Sequence, residues 1–565
     1  MSRATSFLMF VSFSDRLCIA GHELFDIGNL VIGVAGYVVV DGRPATDEES
    51  ALAIAEAYAR HGPVVSQFLL GQYSAVIADL EKKLVVLVQD SLGLRTVYRQ
   101  NLSEGRLVAA SDLRAMQAAA PTRVLDEDYF HYFLAFGTRI TGRTPYARVS
   151  RLSMGETLVL TAGSEHRYYP WRPSKEAQSN IESDPEEALC ALVNRAVVAA
   201  LPREGNVLSE LSGGLDSSTV TCVAHRVRDD IEALTFVSGT NRSGDDPFYS
   251  EIVVRSLGNI KWRKFDQDPY PPFCMKPPIA EVEPGGEIRM SLRIAYYDLL
   301  RAADIGVVLT GAGGDQVFGS VDMAPTYIAD GVRELNLARS WRDSALWRHN
   351  ARTMRSETFW LWHYGVRGAW RHWRGRSLVY TLSGGKPPWL SDRVLKAIRD
   401  VSPRQIAHRL RLPSHQHYWE MLLRLAEHES LVPNQRTPSE FRHPLLYRPL
   451  AEYMITLGAK HRRGELGDRA LQRKALRGLL PEPVRTRVDK GTNQQLREQS
   501  FLVNHAWMEP LVQEPKLLRF GWIKSEQWAE TINRARFGVV SHPMALDAAM
   551  CVEHWLRLND IGALS

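Results

Sequence analysis

The sequence predicts two domains of different class: an α+β domain built on antiparallel strands, then an α/β domain with a parallel sheet and a mostly helical C-terminal part. Three observations carry this reading. A chain of 565 residues, 45% of them hydrophobic, exceeds one ordinary core. Residues 27–118 read as strands with a single helix. Beyond about residue 185, helix and strand patterns alternate, as they do where helices cover both faces of a parallel sheet.

In the first part, "LVIGVAGYVVVDG" is a strand and "DEESALAIAEAYARHG" a helix. The stretch "LLGQYSAVIADLEKKLVVLVQDSLG" holds two apolar runs around the turn "DLEKK", the pattern of an antiparallel hairpin. The strand "GRLVAAS" follows, and "GETLVLTAGSEHRYYPWRP" leads into a polar, turn-rich linker at about residues 171–185. Domains are therefore expected at 1–175 and 185–565. The second opens with the helix "PEEALCALVNRAVVAALP" and continues as strand "NVLSEL", helix "DSSTVTCVAHRVRD", strand "EALTFVS", helix "PFYSEIVVRSLG", strand "NIKWRKFD" and strand "IGVVLT". From about residue 320 the chain reads as helical. Ligands of such sheets bind at the carboxyl ends of the strands.

Composition excludes several classes. Cys18, Cys190, Cys222, Cys274 and Cys551 are scattered without ligand spacing, which supports neither a disulfide framework nor a zinc site. The longest apolar run near the N-terminus, "GNLVIGVAGYVVV", is too short to span a bilayer, and "MSRATSFLMF" lacks a secretion-signal layout, so a cytoplasmic protein without an integral membrane segment is expected. A net charge of +5 is small for this length and implies no nucleic acid. The charge is uneven, however: residues 339–376 carry nine arginines, six tryptophans and two acids. Such a segment can grip a peptide, a membrane surface or single-stranded nucleic acid; the ordinary expectation is helices with tryptophans packed inward and arginines solvated. His415 and His417, in "LPSHQHYWE", are expected to be solvated loop residues, since no third metal ligand is near.

Two glycine-rich turns carry the chemistry. In "LSGGLDSS", Gly213 and Gly214 let backbone amides approach an anion, and the following helix points its positive end at the turn. Ser212, Ser217 and Ser218 could donate hydroxyl hydrogen bonds. With no GxxxxGK[ST] pattern this is not a Walker A loop. A carboxylate beside phosphate makes sense with a divalent cation between them, so Asp216 is a magnesium candidate. The design recurs in "IGVVLTGAGGDQVFG", with Gly311, Gly313, Gly314 and then Asp315.

Together, "LSGGLDSS" and "GAGGDQVFG" resemble the synthetase domain of the asparagine synthetase family, an ATP pyrophosphatase fold that activates a carboxylate as its acyl-adenylate. The resemblance implies ATP and Mg2+, with pyrophosphate on the first loop, magnesium on Asp216 and Asp315, and nucleotide lined by Leu211, Val237, Thr310 and Gly311. "LPEPVRTRVDKG" is similar to the family segment that supplies a lysine near the adenylate, which implies a catalytic role for Lys490, with Arg487 beside it; the family lysine usually falls where this chain has Asp489. Residues 58–116 resemble the family's Ntn-type glutaminase domain, so the first domain is expected to be a glutaminase-like sandwich.

The departures are informative. Family glutaminases use a cysteine directly after Met1; this chain has Ser2, its first cysteine is Cys18, and the glutamine-holding arginine and aspartate signature is missing. A glutamine-independent ligase is therefore expected, using free ammonia or an amine already on its substrate. Ala312 replaces the acid or tyrosine found there in asparagine and β-lactam synthetases, and Gln316 replaces a glutamate. The branch this implies is the lasso peptide cyclase: a precursor peptide as substrate, its Asp or Glu side chain adenylated and its N-terminal amine closing the ring, with a leader peptidase and a leader-binding protein as partners. The Trp- and Arg-rich insert would line the peptide cavity. A β-lactam-type cyclase, an ammonia-dependent asparagine synthetase and a non-catalytic scaffold are the alternatives.

Overall fold

The computed structural model describes the chain except residues 1–5, 14–16, 104, 141, 172–183, 240–246, 274–279, 286–288, 320–324, 351–353, 379–385, 401–409, 430–438, 458–462, 465–466, 488–499, 502–504 and 562–565. Ser2, Cys274, Asp489, Lys490 and most of the expected linker lie outside the described residues.

Strands β1 (Leu8–Phe13), β2 (Leu17–His22), β3 (Leu24–Ile27), β4 (Leu30–Val40), β5 (Arg43–Pro44), β6 (Gly71–Asp79), β7 (Leu84–Gln89), β8 (Tyr98–Asn101), β9 (Arg106–Ala110), β10 (Val149–Arg151), β11 (Thr157–Leu160) and β12 (Glu165–Tyr168) build the first part. They form two antiparallel sheets, ordered β10-β8-β9-β1-β2 and β12-β11-β7-β6-β4-β3, with β5 paired to β4. Alternation along β6 explains the layering: Tyr73, Ala75 and Ile77 pack under helix α1 (Asp47–His61), while Val76 and Ala78 meet Met9, Val11, Leu107 and Ala109 of the facing sheet. Both faces of β6 are thus buried, which is why apolar residues run without a break from Ala75 to Ala78. Helix α1 begins where a capping box dictates, the Thr46 hydroxyl accepting from the Glu49 N–H and the Glu49 carboxylate accepting from the Thr46 N–H at 2.8 Å. Helices α2 (Leu113–Ala119) and α3 (Glu127–Phe136) cover the other sheet, completing a helix–sheet–sheet–helix sandwich of the expected Ntn type.

The second part contains the predicted alternation: α4 (Pro185–Val198), β13 (Asn206–Glu210), α5 (Leu215–Val227), β14 (Glu232–Val237), α6 (Pro247–Leu257), β15 (Lys261–Asp266), α7 (Met290–Ala302), β16 (Ile305–Leu309), α8 (Gly314–Phe318) and β17 (Glu440–Arg442). The parallel sheet has order β15-β14-β13-β16-β17. From β13 the chain moves outward through β14 and β15, then returns to place β16 on the opposite side of β13. The strand order therefore reverses between β13 and β16, and the crevice beyond their carboxyl ends is where such sheets bind ligands. Val207 of β13 packs toward α4 and α5, and Leu208 toward α7. Sequence reading missed α7, between β15 and β16, and β17, whose three residues are too few to show a period.

The C-terminal part is helical as expected, but its last helices return to the first domain. Phe130 of α3 stacks on Trp522 with ring centroids 5.0 Å apart and lies against Trp555, within a core that includes Trp389 and Trp528. His415 and His417 correct an expectation: both lie in the helix Pro413–Glu429 and are buried, so they are neither loop residues nor solvated. Among the described residues, Cys18, Cys190, Cys222 and Cys551 form no disulfide. No described helix is long and apolar enough to cross a membrane.

Candidate active site

The two glycine loops follow the two strands that flank the reversal point, and they touch. A Cβ on Gly311 would come within 2.7 Å of the Ser217 nitrogen, and one on Gly314 within 2.1 Å of the Asp216 carboxyl carbon. Each loop turns at a glycine in the left-handed region, Gly213 with φ 72° and Gly313 with φ 90°. Gly214 is the N-cap of α5 and provides no side-chain cap, so the first-turn amides of that helix face the crevice rim without a capping side chain. Ser212 and Ser217 hydroxyls lie 3.0 Å apart, and Ser217 Oγ accepts from the Ser212 N–H at 3.1 Å. Ser218 is different: its side chain is fully buried, turned into the fold by its position on α5, so it offers a ligand nothing in this conformation. Leu211 is likewise a core residue; its carbonyl accepts from the hydroxyls of Thr235 at 2.7 Å and Ser250 at 3.2 Å. Val237 ends β14 and is half-buried.

Asp216 and Asp315 converge on one point, and a guanidinium sits there. Arg469 Nη1 donates to both Asp216 oxygens at 2.8 and 2.7 Å, and Nη2 donates to Asp315. Arg469 Nε also donates to the Gly319 carbonyl at 3.2 Å, and the side chain is 8% exposed. Gln472 Nε2 adds a 3.0 Å bond to Asp216. Sequence reading missed Arg469 because its partners stand 253 and 154 residues away. Its backbone is left-handed at φ 57°, an uncommon conformation that the three-way contact holds in place. This geometry fits a divalent cation: two carboxylates already aim at one positive charge, and magnesium is characteristically held by one or two carboxylates plus substrate phosphates.

Arg487 reaches the site indirectly. Its guanidinium lies 4.0 Å over the Tyr249 ring, and the Tyr249 Cβ stands 2.7 Å from where a Gly213 Cβ would be. Tyr249, on α6, thus walls the first loop and was not anticipated.

The second loop is tied to the first domain. Gln72, in β6, donates to the His443 carbonyl at 3.0 Å and accepts from the His443 N–H at 3.3 Å. His443 Nδ1 lies 2.8 Å from the Thr310 hydroxyl, which accepts from the Ala312 N–H at 3.2 Å. Arg95 pairs with Glu440 at 3.2 Å, and Arg442 lies 4.1 Å over the Tyr37 ring, so the sandwich covers the β17 edge. Burial, with Arg95 adding to it, pushes the His443 imidazole down to about 3. A base whose folded pKa is depressed loses native stability as pH falls from its ordinary value of 6.5 toward 3. Replacing His443 by asparagine is expected to shrink the pH 7-to-5 difference in unfolding free energy by about 2 kcal/mol, read by urea denaturation at both pH values. An unchanged difference would show that His443 titrates normally.

This crevice, with its paired glycine loops and converging carboxylates at a strand-order reversal under an Ntn-type sandwich, places the chain among α/β folds that bind ligands beyond the carboxyl ends of their strands. Comparison with known proteins agrees: the asparagine synthase family profile matches residues 188–557 and the glutamine amidotransferase domain profile residues 42–171. The chain belongs to the asparagine synthase family. It is 25% identical over 265 residues to a protein named as glutamine-hydrolysing asparagine synthetase 2 in Methanocaldococcus jannaschii, covering 44% of this chain and 49% of that one. It is 22% identical over 292 residues to the amidase chyE of Penicillium rubens, covering 47% and 42%. It is 25% identical over 207 residues to the carboxyethyl-arginine beta-lactam-synthase of Streptomyces clavuligerus, covering 36% of each. The chain spans half or less of the length of these relatives.

Proposed function

We propose that this protein is an ATP-dependent, AMP-forming ligase that activates a carboxylate and joins it to an amine of the same substrate, as a lasso peptide macrolactam synthetase. The observation that carries the reading is the convergence of Asp216 and Asp315 on one cationic point between two glycine loops. Those two carboxylates would hold magnesium, which when bound supplies charge neutralisation for the leaving pyrophosphate. The chain's own groups supply the rest. Backbone amides around Gly213 and Gly214 and the start of α5 receive pyrophosphate oxygens. Arg487, stacked on Tyr249 at the rim, and Lys490 in the following segment supply positive charge where the phosphoryl and then the acyl centre become anionic. In the first step a carboxylate oxygen bonds to the α-phosphorus and pyrophosphate leaves; in the second the amine bonds to the acyl carbon, AMP leaves and the amine gives up a proton.

The similarity to a beta-lactam-synthase favours ring closure on a small molecule as the second reading. A leader-free precursor peptide incubated with enzyme and ATP separates the two. The lasso reading expects a product one water lighter than the peptide, with AMP formed in equal amount. AMP formation with small amino acid derivatives alone would move the assignment to the small-molecule cyclase.

A further inference from the structure

The Trp- and Arg-rich segment follows the expectation only in part: Trp347 is buried with Trp360 packed beside it, while Trp341, Trp362, Trp370 and Trp373 are exposed. Glu357–Trp373 is one continuous helical run, its middle portion Leu361–Val366 wound as a π-helix. Its buried face is made of Gly365, Gly368, Ala369 and His372. The two glycines explain why: a Cβ on Gly365 would come within 3.1 Å of Ile328, and one on Gly368 within 3.2 Å of Ala329. Small residues therefore let this helix press closely onto its neighbour. Three of its four tryptophans point the other way, Trp362, Trp370 and Trp373 being exposed by 57, 45 and 60%, while Trp360 packs against Trp347. Arg374 lies over both Trp370 and Trp373, at 5.4 and 5.9 Å from the ring centroids, and Arg376 lies 5.4 Å from Trp370. The preceding helix Leu337–Asn350 adds exposed Leu337 and Trp341.

We propose that this outward face is a peripheral docking surface for an anionic lipid bilayer. Charge complementarity commits it to a negative partner: residues 358–376 hold four arginines and no Asp or Glu, and the nearby acids Asp343 and Glu357 are already paired with Arg339 and Arg348. Pattern favours a bilayer over a protein. The tryptophans are interspersed with arginines, whereas protein interfaces gather apolar anchors at a centre inside a polar rim. Indole at the headgroup level with guanidinium on lipid phosphate is the composition of an interfacial helix. With no described helix able to span, the contact is superficial. The surface would hold the enzyme beside the bilayer without entering its chemistry, so it stands apart from the ligase reading.

The test uses the full chain and vesicles, without ATP or peptide. Sedimentation is expected with vesicles containing phosphatidylglycerol and not with phosphatidylcholine alone, and to weaken as salt rises. The double variant Trp370→Ala/Trp373→Ala should bind at least about tenfold more weakly, and Arg374→Ala/Arg376→Ala about fivefold per arginine, with unchanged thermal midpoints because these side chains are exposed. Bromine-labelled lipid should quench fluorescence in the wild type and less in the tryptophan variant. Absence of sedimentation with anionic vesicles at low salt would overturn the proposal. So would equal binding by all variants, or capture by polyglutamate without lipid quenching, which would make the partner an acidic protein.

Discussion

Gly314→Ala is expected to slow pyrophosphate release about a hundredfold. The added methyl carbon would stand 2.1 Å from the Asp216 carboxyl carbon and 2.4 Å from each of its oxygens, well inside van der Waals contact. Asp216 cannot simply swing aside, because Arg469 holds both oxygens and Gln472 one of them. Either the second loop or the carboxylate must move, and both belong to the point where Asp216 and Asp315 meet Arg469. A displacement of this kind near reacting groups costs on the order of a hundredfold in rate, and the steric conflict itself about 1–3 kcal/mol of stability. Gly163→Ala is the control, since nothing lies within 4 Å of its added carbon. Pyrophosphate release and urea denaturation of both variants check this. Wild-type turnover by Gly314→Ala would mean that the two loops do not work as one site.

Asp216→Ala is expected to reduce pyrophosphate release by about a thousandfold, the scale of removing a group that stabilises transition-state charge. It also strands Arg469, which is 8% exposed, with Asp315 as its remaining carboxylate on that site. Breaking such a buried pair costs up to about 3 kcal/mol, so lost activity and lost stability would arrive together. Asp216→Asn keeps the shape and an acceptor for Arg469 and separates the two effects. It should unfold near the wild-type midpoint in urea while remaining inactive. Activity retained in Asp216→Asn would remove Asp216 from the cation-binding role.

What the sequence disclosed and what it withheld follow from the range of the interactions. The loops were legible because their requirements are local: glycine where the backbone turns left-handed at Gly213 and Gly313, and a carboxylate at the start of the next helix. The same holds for α1, whose capping box is written in Thr46 and Glu49. Arg469 was not legible, because nothing near it in the chain signals that Asp216 and Asp315 are its partners. Gln72 and His443 are 371 residues apart, and only the fold shows that the sandwich braces the second loop through Thr310. Ser218 and Leu211 fit the loop motif yet face the core, since position within a motif does not set the direction of a side chain. Of the tryptophans of 339–376, Trp347 and Trp360 pack inside as expected, but Gly365 and Gly368 turn Trp362, Trp370 and Trp373 outward by allowing a closer approach to Ile328 and Ala329 than any tryptophan could make.

In the proposed reaction this crevice transfers AMP to a carboxylate. Exchange of labelled pyrophosphate into ATP is the decisive measurement, because reversible transfer of AMP with release of pyrophosphate returns pyrophosphate to ATP. Exchange is expected to depend on magnesium and on a carboxylate-bearing peptide and to fall about a thousandfold in Asp216→Ala. Formation of ADP and phosphate in place of exchange would contradict that reaction.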